Sequence, residues 1–228
     1  MLRAIIFDMD GVICDSEKLH MQAFQSILQE EGMVLTDNEY YTDYLAFDDR
    51  GCFTKVFAKN GRALDSEKLK ALVQRKRRNF EEMMKDHLVI YPGVDSFIKK
   101  AADRYTIGLA SGASRLEVEY VLKKAKVRGM FTAIVSADDV QKGKPDPESF
   151  QSALKIINEW RLKDTPEIKP AECLVIEDSL HGIAAAHAAG MRCCAVPTSY
   201  KKEQLGQADQ IIDSFVGLEL QQLERLFV

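Results

Sequence analysis

Five short apolar runs, each bounded by polar or glycine residues, alternate with helical periodicity along much of the chain. The runs are Ala4–Phe7, Thr106–Ala110, 133–136, 173–176 and 192–196. They are rich in Ile, Val, Leu and Ala and too short for helices, so they read as buried strands. Residues 114–124 place Leu116, Val118, Val121 and Leu122 at helical spacing, and 147–160 do the same with Phe150, Ala153, Leu154 and Ile157. Residues 180–189 are alanine-rich and run into Gly190, a helix-terminating glycine. Strands alternating with helices predict an α/β fold: a parallel sheet covered on both faces, with right-handed crossovers.

The interval between the first two strands breaks this rhythm and reads as helix. Residues 16–31, 37–44, 49–60 and 66–85 carry the pattern, punctuated by Gly32, Gly61 and the Tyr91-Pro92-Gly93 turn. Four consecutive helices inside an α/β core predict an inserted helical domain over 16–87, with the core formed by 1–15 and 88–228. Ser16 and Ser66 are expected N-caps, and Glu17 and Glu67 favour the helix dipole. Phe24, Leu28, Phe53, Val56, Phe57, Leu69, Val73 and Phe80 are expected to form the apolar core of the insertion. The basic stretch 74–78 reads as a solvated helix face, because consecutive residues spread around a helix. Residues near 15–16 and 86–92 are the expected hinges. Residues 162–171, with Pro166 and Pro170, read as a surface connection without chemistry.

Composition narrows the function classes. The chain has 228 residues, 46% of them hydrophobic, enough for one large domain or a core with a small accessory one. A net charge of -4, with both signs dispersed, gives no nucleic-acid footprint. No uncharged apolar stretch is long enough to span a bilayer. Five cysteines without a C-x-x-C pair indicate reduced thiols. The neighbours Cys193 and Cys194 point to opposite faces of a strand and read as core residues. A soluble cytoplasmic protein, monomeric or weakly dimeric, is expected.

The chemistry lies after the strands, because ligands of a parallel sheet sit beyond its carboxyl edge. Asp8, Met9, Asp10 and Gly11 follow the first strand, and Ser111 and Gly112 the second. Asp138, Asp139, Lys142, Gly143, Lys144, Pro145 and Asp146 follow the third, and Glu177, Asp178 and Ser179 the fourth. Each acid alone could cap a helix. Asp8, Asp10, Glu177 and Asp178 together would crowd like charges into one crevice and raise one another's pKa unless a cation sits among them. Oxygen-only ligands suit a hard ion such as Mg²⁺. Lys144 and Ser111 could hold a phosphate, and Gly112 would let the backbone approach it.

Asp8-Met-Asp10-Gly-Val, Ser111-Gly112, Lys144-Pro-Asp-Pro and Glu177-Asp178-Ser179 resemble the four ordered motifs of the haloacid dehalogenase superfamily. The helical insertion resembles the small cap of the subgroup with phosphoglycolate phosphatase and β-phosphoglucomutase. The resemblance implies a Rossmann-like core with an inserted four-helix cap, and a Mg²⁺-dependent hydrolase of a small phosphorylated metabolite. It implies Asp8 as nucleophile and Asp10 as general acid and base. Ser111 and Lys144 would hold the phosphoryl group, with Lys144 also restraining Asp8. Mg²⁺ would lie on Asp8, the Asp10 carbonyl and Asp178. Glu177 would be either a further ligand or an acceptor behind the ligands.

Specificity is expected in the cap, through His20 and Arg50. Where the mutase has a cap lysine before its arginine, this chain has Ala46. That loss of a phosphate clamp favours hydrolysis over the alternative mutase activity. A phosphate-binding receiver-like module is a further alternative, although it would need neither the insertion nor Asp10. Arg115 is expected to be a solvated first-turn residue.

Overall fold

A computed structural model of the chain describes residues 1–45, 47–162 and 165–227. Ala46, the position that departs from the mutase pattern, lies outside the described residues, as do residues 163 and 164 of the connection at 162–171. Two compact units are present: Met1–Asp15 with Val89–Val228, and Ser16–Leu88.

The first unit holds eight described strands: β1 (Ala4–Phe7), β2 (Cys14–Asp15), β3 (Val89–Ile90), β4 (Thr106–Ala110), β5 (Phe131–Val135), β6 (Cys173–Glu177), β7 (Arg192–Ala195) and β8 (Gln210–Ile211). Six form one parallel sheet in the order β5-β4-β1-β6-β7-β8. The five expected strands are all present, though β5 starts two residues before position 133. Edge strand β8 has only two residues, too few for an apolar run to be read. β2 and β3 pair antiparallel, with Cys14 opposite Ile90 and Asp15 opposite Val89. The two points where the chain leaves and re-enters this unit therefore lie side by side.

The helices are α1 (Glu17–Glu30), α2 (Asp37–Glu39), α3 (Asp49–Lys59), α4 (Ser66–His87), α5 (Val94–Ala102), α6 (Arg115–Lys124), α7 (Glu148–Glu159), α8 (Leu180–Ala188) and α9 (Leu220–Glu224). One sheet face buries Ala4, Ile6 and Val175 with Phe150, Ala153 and Ile157 of α7 and Ile183 and Ala186 of α8. A Cβ at Gly108 would come within 3.1 Å of Ile157, so glycine there permits the close approach of α7. On the other face Phe7 meets Phe97 of α5 and Phe131 edge-on, at 6.3 and 6.2 Å. The sequence reading contains neither α5 nor α9. Yet α5 buries Val94, Phe97, Ile98 and Ala101 at helical spacing, directly after the Tyr91-Pro92-Gly93 turn. Gly190, with φ +76, ends α8 as expected.

The second unit packs α1 to α4 around Phe24, Leu28, Tyr40, Phe53, Phe57 and Leu72. The helix expected over 37–44 is a three-residue α-helix running into a π-helical turn at Tyr40–Tyr44, which buries both end tyrosines. The expected caps also differ. Ser16 makes no side-chain bond to the start of α1, and α4 is capped by Asp65, whose carboxylate accepts from Lys68 N. A carboxylate at that place both satisfies an orphan amide and favours the dipole. The stretch 74–78 is not simply a solvated face. Arg75 pairs with Glu30 and Glu31, and Lys76 is buried.

Candidate active site

Local chain geometry builds the site at the carboxyl end of β1. From β1 the chain proceeds to β4 and β5 on one side, and only later to β6, β7 and β8 on the other. The strand order therefore reverses at β1, and such a switch point opens a crevice at the carboxyl edge. Asp8 stands in that crevice, its N–H donating to Ile176 O at 2.9 Å in continuation of the ladder. The next turn is tight: Val12, Ile13 and Cys14 all donate backbone N–H to Met9 O, and Gly11 has φ +76.

Residues following three other strands, β4, β5 and β6, converge there. Asp8, Glu177 and Asp178 are buried and place one carboxylate oxygen each within 4.8 Å of one another. Lys144 lies among them. Its Nζ donates to Asp8 Oδ1 at 2.5 Å, to Glu177 Oε1 at 2.7 Å and to Ala110 O at 3.1 Å. Ser111, also buried, holds the exit of β4, its N–H on Val135 O and its hydroxyl oxygen accepting from Ala113 N at 3.0 Å. In that bond the hydroxyl accepts, so its own proton is not used there. The space where Gly112 would carry a Cβ is open.

The carboxylates have separate environments. Burial, reinforced by Glu177 and Asp10 and opposed by Lys144, raises Asp8 to about 7. Burial first, then the charges of Glu177 and Asp8, pushes Asp178 well above the usual carboxylate range. Burial pushes Glu177 up as well, but Lys144 and the amides of Ser179 and Asp178 outweigh it, so Glu177 stays below that range. For Lys144, burial pulls the ammonium down and the two facing carboxylates lift it above its ordinary value. The charge count is one lysine against Asp8, Glu177 and Asp178, with half-buried Asp10 beside them. A divalent cation fits such an all-oxygen set, and the donor type selects a hard ion.

Glu177 is heavily engaged. Its Oε2 accepts from Asp178 N, Ser179 N and Ser179 Oγ, all at 2.9 Å, while Oε1 takes Lys144. A Cβ at Gly182 would fall 1.8 Å from this carboxylate, which explains glycine in the first turn of α8. The Asp10 carboxylate is not one of the three grouped acids; its Oδ1 lies 3.9 Å from Cys14 Sγ. Asp138 and Asp139 serve the neighbouring turn. Asp138 accepts from Arg115 N, and Asp139 accepts from Ser136 and from Arg115 Nη2 at 2.6 Å. Arg115, expected to be solvated, is thus an anchor between α6 and the exit of β5.

His20 and Arg50 belong to the second unit. His20 stacks on Phe80 with ring centroids 3.9 Å apart, and its Nδ1 faces Lys76 Nζ at 2.6 Å. Lys76 Nζ also donates to Asp49 Oδ1 at 2.7 Å and lies over the Phe24 ring. An ammonium can only donate, so His20 accepts at Nδ1 and carries its proton on Nε2. Burial and then the Lys76 charge hold His20 well below its ordinary pKa. Arg50 is exposed in the first turn of α3, which Asp48 caps through Gly51 N. The sequence reading missed Lys76 and Asp49. The signal was a lysine on the apolar stripe of α4, between Val73 and Phe80. It also missed Thr198 and Ser199, which leave β7 on the same edge as the other motifs and stand beside Asp178.

Residues 5–196 match the family model described as haloacid dehalogenase-like hydrolase. The chain belongs to this family. YhcW of Bacillus subtilis (strain 168) is 32% identical over 222 residues, covering 96% of this chain and 95% of that protein. The phosphorylated carbohydrates phosphatase of Thermotoga maritima is 28% identical over 193 residues, covering 83% and 82%. Among solved structures, CbbY from Rhodobacter sphaeroides in complex with phosphate superposes with a TM-score of 0.82 at 25% identity, over 98% of this chain and 100% of that one. A D10N mutant of CbbY has been solved with xylulose-(1,5)bisphosphate. β-Phosphoglucomutase from Clostridium difficile shares the fold, with a TM-score of 0.84 at 23% identity over 100% and 97% of the two chains. Among the described residues, no helix is long and apolar enough to cross a membrane.

Proposed function

We propose that this chain is a Mg²⁺-dependent phosphatase that hydrolyses a small phosphorylated metabolite through an aspartyl-phosphate on Asp8. The observation that carries this reading is the group of Asp8, Glu177 and Asp178, bridged by Lys144. A relative named as a phosphatase and the phosphate complex of CbbY support it.

A carboxylate approaching a phosphate dianion is repelled, so catalysis is mainly positioning and charge compensation. A bound Mg²⁺ would supply Lewis-acid compensation of that repulsion, held by Asp8, Asp178 and the Asp10 carbonyl. Lys144 neutralises one oxygen of Asp8 and fixes its orientation. A carboxylate oxygen of Asp8 attacks phosphorus, the P–O bond to the leaving alcohol breaks, and Asp10 gives that oxygen its proton. Asp10 then takes a proton from water, whose oxygen displaces Asp8 and releases phosphate. Ser111 donates its hydroxyl proton to the phosphoryl group, and the open face of Gly112 leaves room for it. Glu177 acts through Lys144 and the Asp178–Ser179 amides, because its own oxygens are already engaged.

The unit Ser16–Leu88 is the cap of this enzyme, and His20 and Arg50 are its substrate-reading residues. His20 offers a neutral Nε2–H donor and Arg50 a charge for an anionic group. Release of phosphate from an aryl phosphate, with Mg²⁺ and with chelator, tests the reading. Turnover that needs the metal and vanishes in Asp8→Asn is expected, and equal turnover in chelator would overturn it. A panel of phosphorylated metabolites against wild type and Arg50→Ala tests the cap assignment. A substrate-selective loss is expected; a uniform response would remove Arg50 from the specificity role.

A further inference from the structure

The loop after β7 reaches back to the turn that follows β1. Thr198 Oγ1 donates to Gly11 O at 2.5 Å and lies 3.5 Å from Asp178 Oδ2. The Ser199 hydroxyl hydrogen-bonds the Asp178 carboxylate. A Cβ on Gly11 would fall 1.8 Å from Asp178 Oδ2 and 3.0 Å from Ser199 Oγ, so both groups press on the same face of Gly11. The Tyr91 side chain also hydrogen-bonds Thr198, and its backbone N–H donates to Ile13 O at 3.0 Å. The single proton of Thr198 is directed to Gly11 O, which leaves its oxygen free to accept from Tyr91.

The chain thus ties three separate segments together: the Asp10–Gly11 turn, Asp178, and the strand-end residue Tyr91. Neither Thr198 nor Ser199 belongs to the residues to which the four motifs assign a role. We propose that Thr198 and Ser199 are positioning residues for the cation site, holding the Asp178 carboxylate and the Asp10–Gly11 backbone in the fixed relation that one divalent ion requires. This rests on the cation reading given above. The physical reason is geometric. Mg²⁺ tolerates little departure from octahedral placement, and Asp178 and the Asp10 carbonyl both lie beyond the last residues that β1 and β6 pair with each other, Phe7 and Ile176. Hydroxyl groups that orient a ligand without touching the ion commonly change metal affinity by about 10–100-fold.

The test is titration calorimetry with Mn²⁺ as the probe, together with melting curves in chelator. Thr198→Val/Ser199→Ala should bind Mn²⁺ about tenfold or more weakly than wild type, with an unchanged melting temperature in chelator. Thr198→Ser, which keeps the hydroxyl, should bind nearly as wild type does, and Asp178→Asn should lose binding. If the double variant melts early even in chelator, Thr198→Val against Thr198→Ser carries the same comparison, since the two differ in the hydroxyl. Wild-type affinity in the double variant, or in Thr198→Val, while Asp178→Asn fails to bind, would overturn the positioning role. Absence of Mn²⁺ binding by the wild type would instead overturn the cation reading beneath it.

Discussion

Lys144 in the first unit and Lys76 in the second both place their ammonium among buried groups, and the two are satisfied in opposite ways. Lys144 faces two buried carboxylates and a backbone carbonyl. Lys76 faces one carboxylate, a histidine nitrogen and the rings of Phe24 and Phe80, at 4.7 and 5.1 Å. Around Lys76 the charges that face it balance, one ammonium, one carboxylate and one neutral imidazole, with exposed Arg77 at the other oxygen of that carboxylate. Around Lys144 they do not, because Asp8, Glu177 and Asp178 outnumber it. A balanced pair organises a core, whereas an excess of buried carboxyl groups, two of them with raised pKa, prepares a site for a cation and for the chemistry it permits. The comparison separates a structural lysine from a reactive centre without appeal to motif.

The largest expected effect is at the nucleophile. Asp8→Asn should lower kcat by about 10⁴-fold or more while circular dichroism stays native, and a folded, fully active variant would remove Asp8 from that role. Next come the lysines themselves. Lys144→Ala should cost about 10²–10³-fold in kcat. Lys76→Met should mainly reduce unfolding free energy, by about 2–3 kcal/mol in urea titration, because it leaves Asp49 without its buried partner. If Lys76→Met instead loses activity at full stability, the distinction between the two lysines collapses.

A smaller effect concerns pH. Protons compete with a metal for Asp8, raised to about 7, and for Asp178, held well above its normal range. Mn²⁺ affinity should therefore climb between pH 6 and pH 8, by at most about tenfold per unit for each proton displaced and less steeply above the pKa of the group concerned. A flat profile would contradict the raised carboxylates. Smallest of all is the histidine. His20 is held well below its ordinary pKa, so it stays neutral at and above pH 6.5. His20→Gln should change the level of kcat/KM without altering the shape of its profile between pH 6.5 and 8. Loss of a limb from that profile would mean that His20 titrates in the range after all. With β-glucose 1-phosphate as substrate, free phosphate is the expected product, and glucose 6-phosphate would favour the mutase reading.

Much of the fold was legible because its signals are local. β1, β4, β6 and β7 are apolar runs, and Gly190 closes α8 where an alanine-rich helix meets a glycine. The DxD loop, Lys144 and the Glu177-Asp178 pair were legible because each follows a strand that points to one edge. What escaped has other causes. β8 has two residues, and α5 begins at once after a turn. Lys76 was hidden because charge suggests solvent, while its burial depends on partners from α1 and α3. Glu177 looked like any acid of the cluster until its oxygens were seen to be engaged by Lys144, Asp178 and Ser179.

The sequence alone determined the alternation of strand and helix, the helical insertion, and the order of acids and lysine that marks a haloacid dehalogenase-like hydrolase. Periodicity and motif spacing are written in neighbouring residues and need no partner to be read. The tertiary structure decided which of those side chains meet. The sheet order brings Asp8 between β4 and β6, the loop after β7 returns to Gly11, and α4 carries Lys76 to Asp49 and His20. Contacts between residues far apart in the chain depend on the packing of whole elements, and that packing alone turns a list of polar residues into a site.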